Sequence, residues 1–183
     1  MGQSKQLILY NGAPLVTRAA EAALAVGAAP VIVVLGAHAE EISPALSHLS
    51  GAMTVLNLEW ESGLASSLTS GLRAALHDTK WDGVLAMLAD QPLVDAEMLN
   101  RLIAEFAAGA RIAAAGYDGA PGVPALFGRE YVPELLGLTG DTGAGPWLRS
   151  RAREAAIVPL DSGVHDVDTP ADVQRLDDRQ GSL

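Results

Sequence analysis

The side chains that could do chemistry sit just behind short apolar runs. Val84-Leu85-Ala86-Met87-Leu88 is followed by Ala89-Asp90-Gln91-Pro92, a carboxylate at the mouth of an expected strand in a turn stiffened by proline. Asp90 is placed there to hold a hard cation, or simply to cap the loop. Met53-Thr54-Val55-Leu56 leads into Asn57, whose amide could read a base or ribose edge or fill a turn. Beyond a late run from Ala156 to Leu160, the chain reads His165-Asp166-Val167-Asp168-Thr169-Pro170. Alternate residues of an extended segment point the same way, so Asp166 and Asp168 could face one cation; Asp168 or Thr169 could also cap a last helix. The only lysines are Lys5 and Lys80. Lys80 lies in the polar turn His77-Asp78-Thr79-Lys80 and reads as solvated surface, whereas Lys5 precedes Leu7-Ile8-Leu9, where a phosphate contact is possible.

Absent motifs narrow the chemistry. There is no G-x-x-x-x-G-K-[ST] loop and no G-x-G-x-x-G after a strand, and no Gly-x-Ser-x-Gly elbow accompanies Ser66-Ser67. The four histidines, His38, His48, His77 and His165, have no metal-ligand spacing and read as surface or capping residues. The glycines at 116, 119, 122 and 128, and those at 140, 143 and 145, read as turns or loops over a site.

The elements that must position these residues alternate. Val31 to Leu35, a β-branched run, reads as a strand buried on both faces, joined by strands at 53–56, 84–88, 112–115 and 156–160. Between them lie helices beginning near Pro14, Ala39, Leu64 and Asp95, with shorter ones over 131–136, 144–153 and 170–176. This alternation predicts an α/β fold, a three-layer sandwich with a mostly parallel central sheet. The chain reads as one domain over 1–183. Ligands of such sheets bind beyond the carboxyl ends of the strands, where Asp90 and Asn57 fall.

Composition sets the outer limits. Of 183 residues, 49% are hydrophobic, 4% aromatic and none is cysteine, with a formal net charge of −10. The size permits a substantial core, and few aromatics with much alanine and glycine suit close helix-on-sheet packing. An acidic surface repels phosphate backbones, which argues against nucleic acid. No run reaches the length of a membrane helix, no secretory leader is evident, and without thiols there is no disulfide, cysteine nucleophile or thiolate metal site. A soluble, cytoplasmic protein with no membrane partner is the expectation.

Against this background, ordered motifs carry a resemblance. Met1-Gly2-Gln3-Ser4-Lys5-Gln6-Leu7 resembles the end of L-A-A-G-x-S-x-R-M-G-x-x-K-x-L, the signature of MobA-like nucleotidyltransferases. Asn57 to Leu68 is similar to the N-x-x-W-x-x-G-M-x-x-S-L stretch of the molybdenum cofactor cytidylyltransferase branch. Ala89-Asp90-Gln91-Pro92, Gly122 to Phe127, Gly140-Asp141-Thr142-Gly143-Ala144 and Asp166 to Pro170 follow in that family's order. The resemblance implies a Rossmann-like nucleotide-diphospho-sugar transferase fold and transfer of CMP from CTP, or GMP from GTP, to the phosphate of molybdopterin, releasing pyrophosphate. It further implies Mg²⁺ between Asp90 and the Asp166/Asp168 segment, Lys5 on triphosphate oxygens, Asn57, Ser66, Ser67 and Gln91 on the nucleotide, and a molybdenum hydroxylase receiving the product. A non-catalytic accessory protein of the same fold, or transfer to another phosphorylated acceptor, is the competing expectation.

Two departures stand out. The family opens with a strand and glycine-rich loop ending R-M-G, and this sequence opens at that Met, so the first strand is missing. The reading expects unpaired interior edges on 31–35 and 84–88, an internal methionine at Met1, and weak transfer without the upstream segment. Gly145 stands where related sequences often carry Arg.

Overall fold

The computed structural model describes residues 4–77, 80–141, 143–160, 167, 169 and 172. The chain first turns back on itself in a hairpin, β1 (Leu9–Tyr10) with β2 (Ala13–Pro14). Asn11 and Gly12 make the turn with φ of 50° and 80°, the positive values that a two-residue hairpin loop requires. Helix α1 (Leu15–Ala25) then leads to β3 (Val31–Leu35), which pairs in parallel with β4 (Ala52–Leu56). Between them, helix α2 (Ala39–Ile42) continues as a 3₁₀ turn, Ser43–Leu46. A helix near Ala39 is expected from the sequence, but Pro44 lacks the amide to sustain an α-helix and confines it to one turn.

Helix α3 (Leu64–Ala75) follows β4, and β5 (Gly83–Ala86) opens the second half. Helix α4 (Ala96–Ala107), β6 (Ile112–Tyr117), β7 (Ala120–Gly128), α5 (Val132–Leu136), α6 (Gly145–Ser150) and β8 (Ala156–Pro159) complete the described strands and α-helices. The second sheet has the order β5-β7-β6-β8, in which β7 alone runs against the others. The result is the expected α/β architecture with a mostly parallel sheet. Strand β7 is the principal difference: its glycines read as turns, yet Gly122 and Gly128 lie inside a nine-residue strand. Among the described residues β3 is laddered to β4 only and β5 to β7 only, the two interior edges that the sequence reading leaves unpaired.

Alternation along β6 and β7 builds the core. Ile112, Ala114, Ala125 and Phe127 pack with Leu72, Leu135 and Leu148 of α3, α5 and α6. Ala113, Ala115 and Leu126 face the other way, onto Met98, Leu99 and Leu102 of α4. Period-two alternation places successive side chains on opposite faces, so two helical layers sandwich one sheet. Alanines 113–115 are fully buried, and their small side chains let helices approach both faces. Helices α1 and α3 each join the two sheets: Val16 packs with Leu35 while Ala22 meets the Met98 side, and Gly71 seats against Val34 while Leu72 joins Phe127.

Asp95 caps α4, accepting the Met98 amide at 2.9 Å. Asp95→Ala should destabilise the fold by about 1 kcal/mol, read as a shift of the urea midpoint at constant slope.

Candidate active site

The carboxyl ends of β3, β4 and the β5 extension converge. The Asn57 amide donates to the Leu35 carbonyl at 2.7 Å, and Ala89 packs on the cluster containing Leu35. Asp90 thus emerges beside the mouth of β3. Its Oδ2 accepts from Lys5 Nζ at 2.7 Å, with the lysine side chain 37% exposed and the aspartate 14%. Its Oδ1 is buried and, among the described residues, has no hydrogen-bond partner. The backbone carbonyl of Asp90 accepts the amide of Val167 at 2.8 Å, and Val167 is itself buried with Ile8, Tyr10 and Leu15. Residues 85 apart in sequence are therefore joined at one point. Asp166 and Asp168, the expected second carboxylates, lie outside the described residues; Val167, between them, is tied directly to Asp90. Thr169 donates both its amide and its hydroxyl to Asp172 Oδ2, and its carbonyl accepts the Asp172 amide at 3.0 Å.

A second cluster joins Asn57, Ser66 and Ser67. Asn57 is 3% exposed; its Nδ2 donates to Ser66 Oγ at 2.8 Å and Ser67 Oγ at 3.1 Å, and its Oδ1 accepts the Glu59 amide at 3.0 Å. The sequence treats these three residues as nucleotide contacts; the structure brings them together as a network fastening the end of β4 to the first turn of α3. Gly63 enters that helix with φ 108° and ψ 174°, a conformation essentially reserved for glycine. A Cβ there would lie 2.4 Å from the Gly140 carbonyl carbon and 2.5 Å from Asp141 Oδ1. The Ala65 amide donates to the Gly140 carbonyl at 3.1 Å. The tryptophan-containing motif and the Gly140-Asp141 motif are thus in direct contact.

The rim holds further groups. Ser4 donates to Glu41 at 3.1 Å, and His38, in the left-handed region at φ 58°, leads into α2 and pairs with Glu41 at 3.5 Å. A shallow cavity of about 430 Å³ is lined by His38 to Glu41 and Leu56. Leu58 is 81% exposed and Trp60 44%, with the Trp60 Cβ against Gly36. The guanidinium of Arg149 lies over Gly145. Arg151 is engaged elsewhere, pairing with Glu134 and Glu154 and stacking on Trp147. The Trp147 indole N–H, then Arg151, hold the Glu134 carboxyl below the usual carboxylate range, which marks a structural tie between α5 and α6. Among the described residues, no three His, Asp or Glu side chains gather as a ready-made metal cluster, and no helix is long and apolar enough to cross a membrane.

Gln91, expected on the nucleotide, is 7% exposed. Its Nε2 donates inward, to Tyr117 Oη at 2.9 Å and the Val123 carbonyl at 3.3 Å. Glu41, Gly63 and Tyr117 are site neighbours that sequence reasoning misses. Gly63 alone carried a signal, a glycine inside a quoted motif.

The chain resembles known proteins over most of its length. The MobA-like NTP transferase domain matches residues 1–156. The nicotine blue oxidoreductase of Paenarthrobacter nicotinovorans is 33% identical over 182 residues, covering 94% of this chain and 87% of its own. A nucleotidyl transferase from Methanothermobacter superposes with a TM-score of 0.79 at 26% identity, over 96% of this chain and 84% of that one. The manganese complex of Rv0371C from Mycobacterium tuberculosis H37Rv gives 0.73 at 28% identity, over 96% and 92%. A family match over most of the chain, with its motifs converging at one sheet edge, identifies this protein as a nucleotidyltransferase belonging to the MobA-like NTP transferase family.

Proposed function

We propose that the chain transfers CMP from CTP to the phosphate of molybdopterin, for delivery to a molybdenum hydroxylase. An acceptor phosphate oxygen attacks the α-phosphorus, the bond from that phosphorus to the bridging oxygen breaks, and pyrophosphate leaves. The acceptor is already anionic, so no strong general base is needed; the work is alignment and neutralisation of charge.

The observation that carries the reading is Asp90, a carboxylate with one oxygen on Lys5 and the other buried without a donor among the described residues. Buried carboxylate oxygens are ordinarily satisfied, and an oxygen-only acceptor at a strand mouth fits a hard divalent cation. Asp90, with Asp166 and Asp168 flanking Val167, would hold Mg²⁺; the manganese bound by the mycobacterial relative supports a divalent site. Such a cation, when bound, supplies neutralisation of phosphate charge. In this reading Lys5 turns from Asp90 to triphosphate oxygens, and Asn57, Ser66 and Ser67 shape the nucleotide side. Gln91 serves the nucleotide site through the turn it anchors, since its amide nitrogen faces Tyr117 and Val123.

The test is pyrophosphate release with molybdopterin and either CTP or GTP, on this chain and on a version extended upstream in its reading frame. Preference for CTP by about tenfold or more is expected. Preference for GTP overturns the choice of base. Release only with another phosphorylated compound moves the acceptor, and no Mg²⁺-dependent nucleotide binding by either version would make this an accessory protein. The identity to nicotine blue oxidoreductase favours one second reading, reduction of nicotine blue by an added two-electron hydride donor, which loss of the dye's colour on mixing protein, dye and donor would reveal.

A further inference from the structure

Strand β7 carries an irregularity whose consequences reach Asp90. Its pairing with β6 steps from Ala114↔Ala125 to Ala115↔Gly122, so Val123 and Pro124 have no partner position on β6. Such bulges free backbone groups from the ladder and bend the strand. The Val123 carbonyl, released in this way, must find donors among side chains. It accepts from the Tyr117 hydroxyl and from Gln91 Nε2 at 3.3 Å, while the same Nε2 donates to Tyr117 Oη at 2.9 Å. The three groups close a triangle around one carbonyl.

Packing holds the triangle rigid. A Cβ on Gly122 would stand 2.7 and 2.8 Å from the Tyr117 ring, so the ring lies flush on the backbone of the opposite strand. On the far side, the Gln91 carbonyl accepts the Val94 amide at 3.1 Å, and the Asp90 carbonyl accepts that of Val167 at 2.8 Å. Gln91 is the residue next to Asp90, so the direction of its side chain helps decide where the neighbouring carboxylate points.

We infer that Tyr117 is a positioning residue for the cation-binding carboxylate: through Gln91 and the bulged Val123 carbonyl, it sets the orientation of Asp90. This rests on the reading of Asp90 as a cation ligand and deepens it by naming the support behind the ligand. Groups that orient a metal ligand typically contribute tenfold or more to affinity or rate. Tyr117→Phe keeps the ring on Gly122 and removes only the hydroxyl.

The experiment measures Mn²⁺ binding by electron paramagnetic resonance, without turnover, alongside nucleotidyl transfer. Tyr117→Phe should weaken Mn²⁺ binding by about tenfold and lower kcat similarly, leaving the nucleotide KM within about twofold. Gln91→Ala should weaken Mn²⁺ binding by a similar factor, and adding Tyr117→Phe to it should cost little more, because both act through one route. Gln91→Ala also keeps the test decisive if Tyr117→Phe fails to fold. Unchanged Mn²⁺ affinity in Tyr117→Phe and Gln91→Ala, with a lowered Tm, overturns the inference and leaves only a structural role. Asp90→Asn separates the two levels: if it binds Mn²⁺ as well as the parent protein, the reading of Asp90 falls; if it loses Mn²⁺ while both supporting variants retain it, only the role of Tyr117 falls.

Discussion

Asp90→Asn should lower nucleotidyl transfer by about 10²–10³-fold or more while leaving the fold as stable as before, or slightly more so. The substitution preserves shape and removes charge. Among the described residues Oδ1 is buried without a hydrogen-bond partner, a destabilising arrangement for a charged carboxylate that a neutral amide relieves in part by removing the buried charge. Lys5, 37% exposed, keeps its hydration when its partner becomes neutral, so little stability is lost with the ion pair. Activity and stability therefore move in opposite directions, as they do where a functional group is held in a strained setting. Pyrophosphate release and chemical denaturation on the same preparation check this. Loss of both together would make Asp90 a structural residue, and retention of both would remove it from the site.

Gly63→Ala should be the most damaging small substitution in the motif segments, costing about 3 kcal/mol. Two effects combine. The backbone at φ 108° and ψ 174° excludes a side chain, and the new methyl would lie 2.4–2.5 Å from the Gly140 carbonyl group and the Asp141 carboxylate. Backbone on the facing loop cannot swing aside as a flexible side-chain tip can, so Gly140 and Asp141 must lift away and the Ala65–Gly140 hydrogen bond is lost. Gly12→Ala is the control: φ is 80° there, but nothing stands within 4 Å of the added carbon, so the cost falls to about 1 kcal/mol. Urea denaturation of the pair separates collision from backbone preference. Equal losses would show that the contact between loops 63 and 140 adds nothing.

How much of this was legible depended on whether the signal was local. The β-branched run 31–35 is a strand because its side chains crowd a helix and suit a sheet, and Asp95 caps α4 because a short carboxylate satisfies an orphan amide two or three residues on. Asn11-Gly12, by contrast, carries a strong hairpin signal that the sequence reading passes over between Leu9 and Pro14. Strand β7 escaped because Gly122 and Pro124 interrupt its alternation at the bulge, where the period-two pattern fails by construction.

By itself the sequence determined the alternation of strands and helices, the order of the motifs and the presence of Asp90, Asn57 and Lys5 behind apolar runs. Those properties follow from dihedral preference, apolar periodicity and residue chemistry, all of which act over a few residues. Only the tertiary structure decided that Lys5 meets Asp90 across 85 positions, that Val167 is fastened to the Asp90 carbonyl, and that Gln91 turns inward to Tyr117. Side-chain direction and long-range pairing depend on which surfaces pack together and which backbone groups the ladders leave unsatisfied, and no local pattern encodes that balance.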